Sequence, residues 1–275
     1  MPADRQLVMR LQAVLVAHGF DLGRSGPAQD GVDGDPGDRT ILAALSLIES
    51  RVGIESPLKQ PGLTDAAAFF ASLRRSGLFG AGLTRGQVDG INFKLAAMTA
   101  ANWPISWAAT AFGTVYHETA KTMQPIRERG SGRDLNKNGW DDYFEKYDTG
   151  RLAASLGNSP AADGDGVLYI GRGDVMVTGL ANYRKLAKLL GVDVVAQPDL
   201  LLRPDLSARA MIVGMENGIY TGKSLPGVLG RDKGRKTRAD YVRTRPIING
   251  TDKAEMIAGY CIAFEAALAA GLWVA

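Results

Sequence analysis

The sequence predicts a mainly α protein in two parts, a small helical module over residues 1–60 and a large helical domain over residues 64–275. Three observations lead there. Apolar residues recur at helical rather than strand spacing along most of the chain. Pro57, Pro61 and Gly62 break that pattern after the first fifth of the sequence, where the boundary falls. No train of short alternating strands separated by turn signals occurs.

The first helix spaces Leu7, Leu11, Val14 and Leu15 as an amphipathic face and ends near His18 and Gly19. A Gly- and Asp-rich loop from Gln29 to Gly37 then leads to Asp38, a suitable N-cap for a second helix through Ile41, Leu42, Leu45 and Ile48. A module of roughly sixty residues stands at the lower end of independent stability. Past the break, Thr64 is placed to cap a helix through Phe69, Phe70 and Leu73. Gly77, Gly80 and Gly82 interrupt the next stretch, and Thr84 starts a helix through Val88, Ile91, Phe93 and Leu95. Ser106 is placed to cap a helix through Trp107, Ala111, Thr114, Val115 and Glu118, which Pro125 obliges to end soon afterwards. The remainder reads as helices joined by irregular loops.

Composition excludes several classes. With 45% hydrophobic and 22% charged residues, the 275-residue chain is neither disordered nor fibrous. A net charge of +3, spread over 32 basic and 29 acidic residues, is too small and too interspersed for a nucleic-acid groove. Cys261, the sole cysteine, sits in an apolar run as a small core residue, so no internal disulfide forms, which fits a reducing compartment. The N-terminus scatters Asp4, Arg5 and Arg10 among short apolar pieces and does not read as a signal peptide. No stretch reaches transmembrane length, so membrane insertion is not expected.

Glu118 is the first candidate for chemistry. It falls in the last turns of its helix, on the face of Ala111, Thr114 and Val115, where partial desolvation and the negative end of the helix dipole favour a neutral carboxyl. A carboxyl kept neutral near neutral pH can act as a general acid. Glu128 follows ten residues later between Arg127 and Arg129, neighbours that would hold it ionised, as a water-activating base requires. His117 reads as a hydrogen-bonded core or cleft histidine, since no serine or cysteine nucleophile signature accompanies it.

Two resemblances sharpen this. Leu11-Gln12, Gly19-Phe20, the run Asp30 to Asp35 and Arg39-Thr40 resemble a peptidoglycan-binding domain, covering the first fifth of the chain. His117-Glu118-Thr119, then Gly171-Arg172-Gly173 with Thr178-Gly179 and Asn182-Tyr183, then Ile247-Ile248-Asn249-Gly250 resemble, in that order, the chitinase-like glycoside hydrolase family 19, most of all its phage lysozyme branch. The match runs from about Phe69 to Leu268. It implies a lysozyme-like two-lobed catalytic domain, an inverting mechanism with Glu118 as acid and Glu128 as base, and Thr178 positioning the attacking water. It also puts His117, Arg172, Asn182, Tyr183 and Asn249 among the substrate-binding residues. One position departs: the family carries Gln two residues before that Thr, where this chain has Met176, whose thioether supplies neither the amide's donor nor its strong acceptor. An inverting pair should stand roughly 6.5–9.5 Å apart, leaving room for water.

The segment Asp134 to Glu145 fits a twelve-residue calcium loop, with Asp134, Asn136, Asn138 and Glu145 as candidate ligands and Gly139 at the turn. The alternative is an Asx-rich turn shaping the cleft wall. Glu145 is also the reserve candidate for the second catalytic carboxylate. The chemistry itself requires no cofactor, and a structural calcium is the one metal the sequence suggests.

The expected function is therefore an endolysin, a muramidase cutting the β-1,4 bond between N-acetylmuramic acid and N-acetylglucosamine. Its partner is bacterial peptidoglycan, with the N-terminal module holding the wall and a monomer favoured. It would be made in the host cytoplasm and act on the wall after release. The alternatives are a chitinase with the same chemistry and an inactive cell-wall-binding protein that keeps the fold.

Overall fold

The computed structural model describes residues 3–19, 22, 25–29, 31–35, 40, 44, 47, 62–135, 137–231 and 234–274. The chain divides into two compact units, Met1–Lys59 and Gln60–Ala275. Both are mainly helical.

In the first unit, helix α1 (Ala3–Ala17) has the predicted extent but not the predicted face. Gln12 and Leu15 are buried, whereas Leu7, Leu11 and Val14 are exposed. The reason is Gln12: its amide binds the Gly-Asp loop through Asp33, Gly34 and Asp35, and this turns its side of the helix inward. Leu15 packs with Leu22, and Val16, Ala44 and Leu47 lie against that pair. Thr40, Ala44 and Leu47 are helical. Asp38, Ile41, Leu42, Leu45 and Ile48, on which the second helix was predicted, lie outside the described residues, as do Pro57 and Pro61.

The second unit is built around α4 (Ile105–Glu118), whose residues from Ser106 to Tyr116 are all buried. Small residues on α4 let the long C-terminal helix approach closely. A Cβ at Gly113 would stand 2.5 Å from Cys261 Sγ, so only glycine allows this contact. Cys261 belongs to the core, as expected. Phe112 stacks on Phe264 at 5.1 Å, and Tyr116 meets Tyr260 edge-on at 4.7 Å. Around α4 are α2 (Ala66–Arg75) and α3 (Arg85–Ala100). The shorter α5 (Gly150–Leu156) and α6 (Asp165–Leu168) follow, then α7 (Leu180–Leu190), α8 (Pro204–Asn217), α9 (Leu225–Leu229) and α10 (Arg238–Val242), and finally the C-terminal α11 (Ala254–Ala270). The only sheet among the described residues pairs β1 (Ile126–Arg127) with β2 (Arg172–Gly173), antiparallel, Ile126 opposite Gly173. Among the described residues no helix is long and apolar enough to cross a membrane.

Thr84 caps α3 as predicted, in a reciprocal box with Gln87. Two other predicted caps are corrected. Asp65, not Thr64, caps α2, because its carboxylate accepts the Ala68 N–H at 2.8 Å while Thr64 donates to Leu272 O. Pro104, not Ser106, begins α4: its carbonyl accepts the amides of Trp107 and Ala108, which leaves Ser106 inside the helix with a buried hydroxyl that makes no hydrogen bond. The end of α4 is also set locally, seven residues before Pro125. The buried Thr119 donates its hydroxyl to Val115 O and accepts the Met123 N–H, closing a turn in which Ala120, Lys121 and Met123 all take positive φ.

Candidate active site

One cleft of about 720 Å³ in the second unit is lined by Glu118, Glu128, Met176, Thr178, Asn182 and Asn249, together with Tyr143, Tyr147, Tyr220 and Lys223. The sequence places these residues in six separated stretches, at 118, 128, 143–147, 176–182, 220–223 and 249, and the fold brings them to one space.

Glu118 projects from the last residue of α4. Its surroundings are not only the small and apolar groups indicated by its helical neighbours, because Arg245 Nη1 donates to Glu118 Oε1 at 2.5 Å. Arg245 is itself buried, and its other nitrogens reach Asp252 O and Asp252 Oδ1, so the guanidinium is fixed on both sides. It stands two residues before the Ile247-Ile248-Asn249-Gly250 motif. It was not singled out from the sequence, although an arginine so near the segment expected to contact substrate was a usable signal.

Glu128 follows β1. Its backbone N–H donates to Gly171 O at 2.8 Å, Gly171 N–H returns a bond to Glu128 Oε2 at 3.0 Å, and the Tyr147 hydroxyl donates to Oε1 at 2.9 Å. The flanking arginines do not hold it. Arg127 pairs instead with Asp199, which also accepts Arg172 Nε at 2.7 Å, because strand alternation sends Arg127 to the opposite face of β1 from Glu128. Burial and the neighbouring Glu128 push the Tyr147 phenol well above its ordinary value, so it stays a donor. The chain that positions it continues to the buried Asn158, which donates to Tyr147 O and accepts the Leu180 N–H at the start of α7, both at 2.8 Å. Tyr147 and Asn158 carried no motif in the sequence.

Thr178 donates to Met176 O at 3.0 Å, and Asn182 donates to Thr178 O at 2.8 Å. Met176 takes a positive φ of 55° in the tight loop closed by paired bonds between Arg172 and Val177. Asn249 is exposed on the far wall, its side chain accepting the Gly250 N–H. Thr221 joins that wall by donating to Pro246 O at 2.6 Å.

Arg172 and Tyr183, predicted to bind substrate, do not line this cleft; Arg172 lines a separate pocket with Arg127 and Asp199. Tyr183 is fully buried and donates to Ile170 O at 2.9 Å, and Arg172 spends its donors on Leu168 O, Ile170 O, Tyr183 and Asp199. Both hold the carbonyl of Ile170, the residue before Gly171. His117 is partly buried and does not line the cleft. Desolvation lowers its pKa, the nearby Glu118 opposes this, and Arg245 and Lys253 add to the lowering.

Glu145 does not reach the cleft, which removes it as reserve base. It lines a separate space of about 250 Å³ with Asn138, Trp140 and Asp148. In the candidate calcium loop Asp134 accepts the amides of Asn138 and Gly139, and Asn138 turns its amide nitrogen to Glu145 Oε1 at 2.9 Å. Asn136 lies outside the described residues. Close by, carboxylate oxygens of Asp148, Asp163 and Asp165 come within 4.8 Å of one another, and each residue also accepts a backbone amide.

No family model, no curated protein and no solved structure matches the chain.

Proposed function

We propose that the protein is a peptidoglycan-cutting glycoside hydrolase of the phage endolysin type, with a lysozyme-like two-lobed domain and an N-terminal module that binds the wall. The observation that carries this reading is the meeting of Glu118, Glu128, Thr178, Asn182 and Asn249 on one cleft of about 720 Å³. Two carboxylates across an open cleft are the equipment of glycosidic cleavage.

In the proposed reaction Glu118 gives its proton to the glycosidic oxygen as the bond to the anomeric carbon breaks. The carboxylate left behind is stabilised by Arg245, already hydrogen-bonded to Oε1. Glu128 accepts a proton from water on the opposite face of the sugar ring, and the resulting hydroxide oxygen bonds the anomeric carbon with inversion. Tyr147 and Gly171 each occupy one lone pair of the Glu128 oxygens, leaving others to take the proton. Thr178 accompanies that water, and Met176 replaces a polar contact with an apolar one.

The test is to incubate purified peptidoglycan and chitin with the wild type and with Glu118→Gln, then identify the new reducing ends by mass spectrometry. Muramic acid ends from the wild type alone are expected. Chitin oligomers without wall products would move the assignment to a chitinase, and no product from either polymer would leave a wall-binding protein.

A further inference from the structure

Lys94 and Asp174 are both fully buried, and no step above uses them. Lys94 Nζ stands 2.8 Å from Asp174 Oδ1 and donates to Met123 O at 3.0 Å and to Gly90 O at 3.2 Å. The pair is incompletely satisfied, because Asp174 Oδ2 is buried without a hydrogen bond. Removing two charges from water costs more than their attraction reliably returns, so apolar residues of similar volume are often as stable or more so. Stability alone is therefore a poor reason for this pair.

Its position supplies a better one. Met123 lies in the irregular link between Glu118 and Glu128, where three residues hold positive φ. Asp174 lies in the tight loop closed by Arg172 and Val177, immediately before the cleft-lining Val175 and Met176 and four residues before Thr178. The approach from α3 is close, since a Cβ at Gly90 would fall 1.9 Å from Met123 O. Asp174 is held further by its own N–H, which donates to Ser207 Oγ at 2.8 Å. One ammonium thus ties together the two segments without regular structure on which the spacing between Glu128 and the Met176–Thr178 edge depends.

We propose that the Lys94–Asp174 pair is a positioning device, fixing the Met176–Thr178 loop against the link that carries Glu128. This rests on the cleft being the catalytic site. Lys94→Leu/Asp174→Leu in the full chain tests it by thermal melting, by the methyl NMR signal of Met176, and by kinetics on peptidoglycan. The double variant is expected to melt at or above the wild-type temperature, with the Met176 methyl signal shifted and broadened. Its kcat is expected to fall by about ten- to a hundredfold with KM within about twofold, because small misplacements of a reacting group are costly. Should it fail to fold, Lys94→Gln/Asp174→Asn keeps the shape while removing both charges, and the same signal and kinetic changes are expected. A wild-type Met176 signal together with wild-type kcat in whichever variant folds overturns the proposal. If the wild type cuts no wall polymer the hydrolase reading fails, while the Met176 signal still decides whether the pair sets the loop.

Discussion

Tyr147 donates its phenolic hydrogen to Glu128 Oε1 at 2.9 Å, tying the proposed base to a residue nineteen positions further along the chain. Tyr147→Phe keeps the ring and its packing but removes this bond. A hydrogen bond to a charged group contributes about 1.5–3 kcal/mol, so turnover of peptidoglycan is expected to fall about ten- to a hundredfold with the melting temperature little changed. Wild-type turnover in this variant would show that Tyr147 does not orient the base.

Gly171 is placed so that a Cβ would stand 3.0 Å from both Glu128 Oε2 and Met176 Cε. Gly171→Ala should therefore push one of the two aside. Turnover is expected to fall by roughly tenfold through displacement of Glu128. Adding Met176→Ala opens space on the other side and should restore part of it. No recovery in the double variant would mean that the clash falls on Glu128 alone.

The parts of the molecule legible in the sequence are those set by neighbours along the chain. Apolar spacing marks α1 and α3, and the Thr84–Gln87 box is local chemistry. Which face of α1 is buried was not legible, because periodicity counts Leu7 and Leu11 and overlooks the five polar contacts of a single glutamine. The predicted caps failed because the next residue, Asp65, caps α2 in place of Thr64, and because α4 starts two residues before Ser106, on the Pro104 carbonyl. Motifs pointed to Glu118 and Glu128 but not to what holds them: Arg245 lies 127 residues from Glu118, and the Asp199 that takes Arg127 away from Glu128 lies 72 residues off. Such partners are set by packing, and no spacing rule announces them.

The Asp134 loop closes on its own hydrogen bonds, with both carboxylate oxygens of Asp134 accepting backbone amides. A chelator is accordingly expected to leave the melting temperature unchanged, and calcium titrated into the protein to give no binding heat. A melting temperature that drops on chelation and returns with added calcium would assign this loop, or the neighbouring Asp148, Asp163 and Asp165, to a structural ion.

His117 predicts a specific acid sensitivity. Its pKa is lowered from 6.5, first by desolvation, so the folded protein holds it neutral at pH values where the unfolded chain takes up a proton. The stability this gives is complete above the unfolded value and is lost as pH falls through the folded one. Asp33, held to about 2 chiefly by the Asp35 amide, and Asp240, held to about 2 chiefly by the Thr237 hydroxyl, lose their contributions only at more acid pH. Melting of the wild type should therefore fall as the pH drops below about 6.5, the unfolded value, and fall less in His117→Gln. Parallel curves for the two proteins would show that His117 is not the group responsible.

Gln12 gives the sharpest test of the first unit. Its Nε2 is within hydrogen-bond reach of Asp33 Oδ1, Asp35 O and Thr40 Oγ1, and its Oε1 accepts the amides of Asp33 and Gly34. Gln12→Met matches the volume and supplies none of these bonds. Each partly buried group left unpaired costs on the order of 1–3 kcal/mol, comparable with the whole stability of a unit of roughly sixty residues. Hydrogen exchange should then speed up across residues 31–35 while α4, in the other unit, stays protected. Retention on sedimented peptidoglycan should fall in parallel, because the module proposed to bind the wall loses the order that Gln12 gives its loop. Unchanged exchange at Gly34 would show that the loop holds itself, and that Gln12 fills space without organising it.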